Sequence, residues 1–381
     1  MRVRLQVSGR ACVLSDLVAT GGEARVFAIP GDGSTVAKVY KAPTPDRARK
    51  LAVMLANPPE DPLAHQGRIA VAWPQDLLLD ATGRVVGFTM PRVSGARPLV
   101  DLYNPATRRR VCPLFGYRYL VRTARNVAVA VGAVHARGHV VADLREANLL
   151  AADDTIVTLV DADSFQVQDP NTGLTYRCPV GTPEYTPPEL HGRDFRTVDR
   201  TELSDRFGLA VVLFELLMEG VHPFDGRYTG SGDAPPREDR VRSGWFPHGA
   251  ARGPFVPKPL APPLALLPPD LAAMFVRCFE EGHRDPTRRP AAADWRDALI
   301  EAERGLVACA SNGQHHHWPH ARGCPWCARA AALGGRDPFP SQEDVRNGRH
   351  LKPRTAGVSQ ASRASGARPA TQASWSSWAS R

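Results

Sequence analysis

Residues 135–165 carry two acids and one amide at the ends of short apolar segments, and this stretch constrains the chain more than any other. One apolar run ends at Asp143, Asn148 follows five residues later, and a second apolar run ends at Asp161. Mg²⁺ takes oxygen ligands from one or two carboxylates together with a substrate's phosphates. Phosphoryl transfer also needs a separate carboxylate that orients the attacking hydroxyl. The stretch therefore predicts either a metal- and phosphate-binding site or, more simply, two polar surface turns.

Length and charge limit the classes of protein that this chain can be. Its 381 residues suffice for one large bilobal domain or two ordinary domains. The sequence has no run of 18 apolar residues and no signal-peptide core, so we expect a cytoplasmic protein without a membrane span. Of the net charge of +9, +6 arises from residue 328 onward, where nine Arg and Lys accompany three acids. The rest is nearly neutral, which gives little support to nucleic-acid binding.

The spacing of the polar residues resembles the catalytic and metal-binding loops of protein kinases, H-R-D-L-x-x-x-N followed by D-F-G. The resemblance implies that Asp143 is the catalytic base and that Arg145 replaces the catalytic-loop lysine. It also implies that Asn148 and Asp161 hold Mg²⁺ or Mn²⁺. Ala142 stands where these enzymes have the arginine that binds a phosphate on the activation loop. Activation by phosphorylation of that loop is therefore not expected.

The amino-terminal segment resembles the nucleotide-binding strands of the same family. Gly21, Gly22 and Val26 match a degenerate Gly-rich loop, in which Ala occupies both flanking Gly positions. Glycine is needed there so that backbone N–H groups can close over phosphates. Ala37-Lys38 ends an alternating strand twelve residues after Val26, where a kinase has its phosphate-binding lysine. The simpler interpretation of Lys38 is a solvated lysine at the end of a strand.

Two further positions concern how ATP would be held. A kinase helix normally carries a Glu that pairs with the strand lysine. The helix predicted over residues 45–57 contains no Glu, so the sequence does not identify the partner of Lys38. The resemblance also implies that Met90 is a gatekeeper and that residues 91–93 form the hinge that contacts adenine.

Three later segments extend the resemblance. Residues 181–189 resemble the end of an activation segment, with Glu189 as its final acid. Asp205 begins a segment like the buried helix that follows, and would accept hydrogen bonds from the catalytic-loop backbone. Arg289 lies in a D-P-x-x-R-P-like element and should pair with Glu189. The order of these segments over about 290 residues predicts an α+β, bilobal protein-kinase-like fold.

The last three cysteines lie among histidines in a short segment. Cys-x-x-Cys at Cys324 and Cys327 can hold two thiolates on one metal, and one more Cys with one His completes a tetrahedral zinc site. We expect Cys309 and His315 to be those ligands, with His316, His317 and His320 as alternatives for the nitrogen. Four protein ligands would make the zinc structural. An unmetallated linker and a redox pair are the other interpretations.

This zinc segment narrows the resemblance. Asp161-Ala-Asp-Ser-Phe165, Asn312 and the C-P-W-C element are similar to those of bacterial kinase-like proteins related to kinases with a helix-hairpin-helix module. The resemblance implies a von Willebrand A-type protein and a metal-dependent protein phosphatase as partners, besides a protein substrate. No segment of this sequence resembles the helix-hairpin-helix module itself.

These observations predict four regions. The β-rich lobe should cover about residues 1–93 and the helical lobe about 94–306, which together form the kinase-like domain of residues 1–306. Residues 307–328 should bind zinc, and residues 329–381 should be a disordered basic tail because they contain few large apolar residues.

Four functions are compatible with the sequence. The leading hypothesis is an ATP- and Mg²⁺-dependent Ser/Thr protein kinase in bacterial signalling. The second is a pseudokinase, a nucleotide-binding scaffold, which the degenerate Gly-rich loop and the missing helix Glu favour. A small-molecule kinase is third, because that class lacks the peptide-binding segment found at residues 181–189. DNA binding through the zinc segment is fourth.

Overall fold

The computed structural model describes residues 1–351, and its amino-terminal part is built on a seven-stranded antiparallel sheet. The strands are β1 (Arg2–Leu5), β2 (Ala11–Val13), β3 (Leu17–Thr20), β4 (Ala24–Ile29), β5 (Asp32–Tyr40), β6 (Asp76–Leu79) and β7 (Val85–Pro91). They are arranged in the order β2-β1-β6-β7-β5-β4-β3. The helix α1 (Pro45–Ala56) follows β5 and packs against β6 and β7.

Period-two alternation along β5 decides which side chains face the cleft below the sheet. Val36 and Tyr40 belong to the large core shared with the helical half of the molecule. Ala37 and Val39 face the other way, into a second core that the β1–β2 hairpin closes from outside. Lys38 lies between Val36 and Tyr40, so the alternation directs its side chain toward the cleft.

The second half of the described chain is mainly helical. Its helices are α2 (Leu99–Tyr103), α3 (Pro105–Val111), α4 (Tyr117–Ala136), α5 (Glu202–Leu217), α6 (Arg237–Ser243), α7 (Pro269–Val276), α8 (Gly282–Arg284), α9 (Ala292–Arg304), α10 (Pro325–Ala332) and α11 (Gln342–Arg346). α5 is buried at 13 of its 16 residues, which include the apolar run of residues 207–214 and also Asp205 and Glu215. α4 packs against both α5 and α9, so these helices form the centre of this half.

Short strands connect the helices and carry the polar loops. They are β8 (Ala96–Pro98), β9 (Leu149–Ala152), β10 (Val157–Leu159), β11 (Val167–Gln168), β12 (Thr175–Tyr176), β13 (Arg227–Tyr228), β14 (Phe255–Val256), β15 (Val307–Ala308) and β16 (His316–His317). β9 and β10 form an antiparallel hairpin that begins directly after Asn148 and ends two residues before Asp161. The hairpin therefore brings Asn148 and Asp161 together at its open end. The β-rich and helical halves together confirm the predicted α+β, bilobal, kinase-like fold.

The carboxyl-terminal segment packs on the helical half. The ring of Tyr117, at the start of α4, lies 4.5 Å from the ring of Trp326 and 5.8 Å from that of Phe339. The buried guanidinium of Arg108 donates a hydrogen bond to the Pro338 carbonyl and lies over the Phe339 ring. The prediction that the chain is disordered from residue 329 is therefore wrong as far as Leu351. Phe339, which is buried, and Arg329, which donates to the Glu219 carboxylate at 2.6 Å, supply contacts that average composition did not reveal.

Residues 352–381, which complete the predicted tail, lie outside the part that the structure describes. Within residues 1–351, no helix is both long enough and apolar enough to cross a membrane.

Candidate functional site

A cleft with a volume of about 630 Å³ lies between the sheet and the helical half. Gly21 and Gly22 line one side of it, while Lys38, Asp161 and Asp163 line the floor. A narrower apolar cleft also contacts Lys38 and Asp161, and its other lining residues are Ala72, Met90, Pro91, Val93, Ala147, Leu150 and Val160. Val26 and Ala37 are buried in the neighbouring strands β4 and β5. Polar and apolar surfaces therefore meet at Lys38 and Asp161.

Hydrogen bonds hold Asp143 and Asn148 in one loop. The Asn148 side-chain amide donates to the Asp143 carbonyl at 2.9 Å, which leaves the amide oxygen available to another ligand. The Thr182 hydroxyl donates to one oxygen of Asp143 at 3.0 Å, and the Arg145 guanidinium lies 3.6 Å from the other. The backbone N–H of Val160 donates to the Asn148 carbonyl at 3.0 Å, which brings the two loops side by side.

Asp161 lies at the end of this second loop in an unusual backbone conformation. Its φ of 62° is in the left-handed region, which few residues other than Gly, Asn and Asp adopt. Its side chain is 26% exposed toward the cleft and forms an ion pair of 2.6 Å with Lys38. One carboxylate on a strained turn beside an amide oxygen is a donor set that suits Mg²⁺ or Mn²⁺.

Lys38 has a second acidic partner that the sequence analysis did not identify. Its ammonium lies 2.5 Å from Asp163, two residues beyond Asp161. Burial alone would lower the pKa of Lys38, but the nearby carboxylates of Asp163 and Asp161 outweigh it and raise the pKa above its ordinary value. Lys38 is therefore a buried, charged ammonium. α1 contains no Glu, and its one acid, Asp46, pairs with Arg49, so the helix gave no reason to expect this pairing. The partner of Lys38 comes instead from the loop that follows β10.

Asp163 is itself surrounded by donors. Tyr40 donates its hydroxyl to the second carboxylate oxygen at 2.9 Å, and Lys50 of α1 donates to the Asp163 carbonyl at 2.7 Å. Burial would raise the pKa of Asp163, yet Lys38 and the Tyr40 hydroxyl hold it below its ordinary range. In the kinase pattern this position is the Gly of D-F-G, so the motif itself gave no reason to expect an acid with a role.

The backbone before Asp143 is fixed from both sides. Asp205 is 2% exposed and accepts hydrogen bonds from the N–H groups of Val141 and Ala142, at 2.7 and 2.8 Å, as predicted from the sequence. The buried Arg200 donates to the Ala142 carbonyl at 2.5 Å. It also donates to the carbonyls of Cys178, at 2.6 Å, and Val180 in the activation segment. Arg200 thus joins this segment to the catalytic loop without any phosphate.

The end of the activation segment is anchored by an ion pair between the buried Arg289 and the more exposed Glu189. Arg289 donates two hydrogen bonds of 2.7 Å to Glu189 and another of 2.9 Å to the Leu203 carbonyl. This confirms the predicted pairing of Arg289 with Glu189. Gly208 of α5 lets the helix approach the catalytic loop, since a Cβ there would lie 3.0 Å from the Leu144 carbonyl oxygen. These contacts make a rigid base under Asp143.

The C-terminal segment brings together the four residues that the sequence analysis chose as zinc ligands. One donor atom each from Cys309, His315, Cys324 and Cys327 lies within 4.8 Å of all the others. The sulfurs of Cys309 and Cys327 are 3.7 Å apart, close to the spacing of about 3.8 Å that Zn–S bonds of about 2.3 Å give in a tetrahedron. His315 Nδ1 lies 3.5 and 3.4 Å from the sulfurs of Cys324 and Cys327.

The other ring nitrogen of His315 is engaged by Asp337, which leaves Nδ1 as the atom available to a metal ion. Nε2 contacts both carboxylate oxygens of Asp337 at 2.9 Å, which is how metal-bound histidines are commonly oriented. The alternative ligands lie outside the cluster. His317 contacts the Trp318 carbonyl and His320 the Ala265 carbonyl, while His316 belongs to β16.

Comparisons with known proteins agree with this architecture. No family model matches the chain. The chain is 36% identical over 327 residues to protein kinase YegI of Escherichia coli strain K12, which is 84% of this chain and 49% of that protein. It is 37% identical over 314 residues to protein kinase YegI of Escherichia coli O157:H7, 81% of this chain and 47% of that protein. The chain thus spans about half the length of these curated relatives.

A solved structure supports the fold alone. The ROP18 kinase domain in complex with AMP-PNP and sucrose aligns with a TM-score of 0.52 at 17% sequence identity, covering 80% of this chain and 83% of that one.

Proposed function

We propose that this chain of the protein-kinase-like superfamily is an ATP- and Mg²⁺-dependent kinase that phosphorylates serine or threonine hydroxyls of proteins. The observation that carries the proposal is the contact between Lys38 and Asp161, which lie 123 residues apart in the sequence. It brings a buried ammonium and a metal-binding carboxylate to one point of the cleft. Both groups would act on the phosphates of the same nucleotide.

The residues around this point have distinct roles in the proposed reaction. Asp143 orients the acceptor hydroxyl and accepts its proton as the hydroxyl oxygen bonds to the γ-phosphorus and the bond to ADP breaks. Thr182 and Arg145 keep the Asp143 carboxylate in place. Lys38 holds the nucleotide phosphates. Asn148 and Asp161 would hold Mg²⁺ or Mn²⁺, which supplies charge neutralisation for the phosphates when bound.

The narrow apolar cleft suits the adenine ring. Met90 and Val160 line it, and the hinge residues Pro91 and Val93 lie at its edge. The Arg92 N–H donates to Ser34 in the neighbouring β5, which ties the hinge to the sheet. This cleft has a volume of only about 20 Å³, so its walls would have to separate to admit the adenine ring. Gly21 and Gly22 line the larger cleft, where the phosphates would lie.

A protein acceptor is favoured by the segment beside Asp143. Residues 181–189 are anchored at their far end by the Glu189–Arg289 pair and at their near end by the Thr182 contact with Asp143. An extended acceptor peptide could lie on such a fixed edge. A von Willebrand A-type protein and a metal-dependent phosphatase remain predicted partners, and a cytoplasmic location remains a prediction.

We further propose that Cys309, His315, Cys324 and Cys327 bind one structural zinc ion. Their donor atoms fit the tetrahedral spacing, and Asp337 fixes the histidine ring. A purified chain should contain one equivalent of zinc by mass spectrometry of the metal, and Cys327→Ser should lower this content to near zero.

A pseudokinase is the second candidate, and the Gly-rich loop favours it. Ala19 and Ala24 stand at the flanking Gly positions, and both are buried in strands β3 and β4. Their Cβ atoms limit how closely the loop backbone can approach phosphates. A nucleotide-responsive scaffold would bind Mg-ATP without transferring phosphate.

Transfer of labelled γ-phosphate from Mg-ATP tests the proposal. Zinc-loaded protein would be assayed with itself and a generic protein as acceptors, beside Asp143→Asn and Asp161→Asn. Asp153→Asn is the matched control, because it removes an exposed carboxylate that pairs only with Arg97 in the described contacts. We expect the first two substitutions to abolish transfer and the control to retain it. No transfer, with stabilisation by Mg-ATP that Asp161→Asn removes, would establish the scaffold instead.

A further inference from the structure

We infer that Asp163 is the residue that positions Lys38 for the nucleotide phosphates, and that Lys50 of α1 positions Asp163 in turn. This inference rests on the proposed nucleotide-binding function, and it identifies two positioning residues for it. In the kinase pattern, the acid that pairs with the strand lysine lies on the helix. Here the acid is Asp163 on the loop, and the helix α1 contributes Lys50.

All three oxygen atoms of Asp163 accept hydrogen bonds from neighbouring side chains. One carboxylate oxygen contacts Lys38 at 2.5 Å, the other accepts from the Tyr40 hydroxyl at 2.9 Å, and the carbonyl accepts from Lys50 at 2.7 Å. Its side chain is 10% exposed, whereas that of Asp161 is 26% exposed. Asp163 is therefore fixed in the protein, while Asp161 faces the cleft.

This difference in exposure suits Asp161 and Asp163 to different roles. A metal ion in the cleft would draw on the carboxylate of Asp161, which is also within 2.6 Å of Lys38. Asp163 has its oxygens committed to Lys38 and Tyr40, so it can keep the ammonium in place when Asp161 turns to a metal. Two lysines and two aspartates also balance in charge, which a buried cluster requires.

The contact with Lys50 couples this loop to the orientation of α1. Leu51 and Met54, on the same helix, are at most 1% exposed and belong to the main core, so they fix the rotation of α1. Burial lowers the pKa of Lys50 despite the nearby Asp163. The contact that places Lys50 in this cluster is its hydrogen bond of 2.7 Å to the Asp163 carbonyl. Movement of α1 would release Asp163 and with it Lys38.

The inference is tested by moving the acidic partner of Lys38 from position 163 to position 50 on α1. The variants are Asp163→Asn, Lys50→Glu, and the double variant Lys50→Glu/Asp163→Gly, with Asp153→Asn as the control that loses a surface ion pair. Phosphotransfer is measured as kcat and KM for ATP, and Mg-nucleotide affinity is measured separately with a fluorescent ATP analogue. Thermal unfolding of each variant reports whether it folds.

We expect Asp163→Asn to lower kcat/KM for ATP about 100-fold, the usual cost of misplacing a reacting group by about 1 Å. Lys50→Glu alone should be as damaging, since it adds a third acid to the cluster. The double variant should recover at least tenfold over either single variant, because the carboxylate introduced on α1 can then pair with Lys38. The control should stay within about twofold of the wild type.

The outcomes separate this inference from the proposed function. Absence of transfer in the wild type, with nucleotide affinity that Asp163→Asn weakens and the double variant restores, would overturn the kinase activity but support the inference. A folded Asp163→Asn protein that keeps wild-type affinity and kcat/KM would overturn the inference. So would a folded double variant that recovers neither quantity.

Discussion

Substitution of Asp205 by Asn tests how the catalytic-loop backbone is held. The Asp205 carboxylate is buried and accepts from Val141 N–H, Ala142 N–H and His135 Nε2, the last at 2.9 Å. Ala142 lies at φ 70°, in the left-handed region. The two backbone bonds from Asp205 therefore hold a conformation that an alanine would otherwise avoid.

The expected cost follows from these contacts. The Asn oxygen can accept from one backbone N–H, while its NH₂ group faces a second donor. A hydrogen bond to a charged acceptor contributes about 1.5–3 kcal/mol, and a buried donor left without a partner costs about 1–3 kcal/mol. When the weaker contacts let Ala142 leave the left-handed region, the folded state regains about 1–2 kcal/mol of strain. We therefore expect Asp205→Asn to lower the free energy of unfolding by about 2–4 kcal/mol.

Urea unfolding of the wild type and three variants measures this loss of unfolding free energy and shows how much strain at Ala142 affects it. The wild type, Asp205→Asn, Ala142→Gly and the double variant form a thermodynamic cycle. With Gly at position 142 there is little strain to release, so Asp205→Asn should cost about 1 kcal/mol more than with Ala. Asp297→Asn, which removes an exposed acid paired with Arg296, is the matched control. A cost under about 1 kcal/mol for Asp205→Asn, or no coupling to position 142, would refute the reasoning.

Three further predictions concern other parts of the site. Burial, and to a lesser extent Glu146, raise the pKa of Glu215 from its ordinary value of 4.5 to about 8, so wild-type stability should fall as the pH rises through this range. Glu215→Gln should remove that fall in urea midpoints measured between pH 6 and about 9, and an unchanged slope would contradict it. Asp337→Asn should weaken zinc binding about 10- to 100-fold in competition with a chelator, because His315 loses the acceptor that orients it; equal affinity would exclude this role. Arg200→Met should speed chymotrypsin cleavage of residues 174–181, since three carbonyls lose their donor, whereas unchanged cleavage would show that other contacts hold the segment.

Local sequence patterns were sufficient to select the residues to which we assign roles in the proposed function. Asp143, Asn148 and Asp161 stand at the ends of apolar runs whose length and spacing are visible in the sequence. Lys38 lies on an alternating strand, and the period of two puts Val36 and Tyr40 on its face. The Arg289–Glu189 pair spans 100 residues, and the resemblance to kinases was needed to predict it.

The sequence could not predict features that depend on how separate loops meet. The pairing of Lys38 with Asp163 joins residues 125 apart, and the family pattern directed attention to α1. The role of Arg200 has no local signal at all, since its partners are backbone carbonyls of two other segments. Composition also failed after residue 329, because one buried ring such as Phe339 changes an average very little but can anchor a short segment.

The carboxyl-terminal Cys/His segment packs on the start of α4, and this contact affects the order in which the protein folds. Tyr117 is completely buried, and its ring contacts Trp318, Trp326 and Phe339, about 200 residues later in the chain. At ribosomal rates of about 5–20 residues per second, this helix end waits about 10–40 s for its cover. During synthesis the nascent helical half therefore exposes an aromatic surface at α4. A chaperone that shields such surfaces should bind there until residues 318–339 have been synthesised.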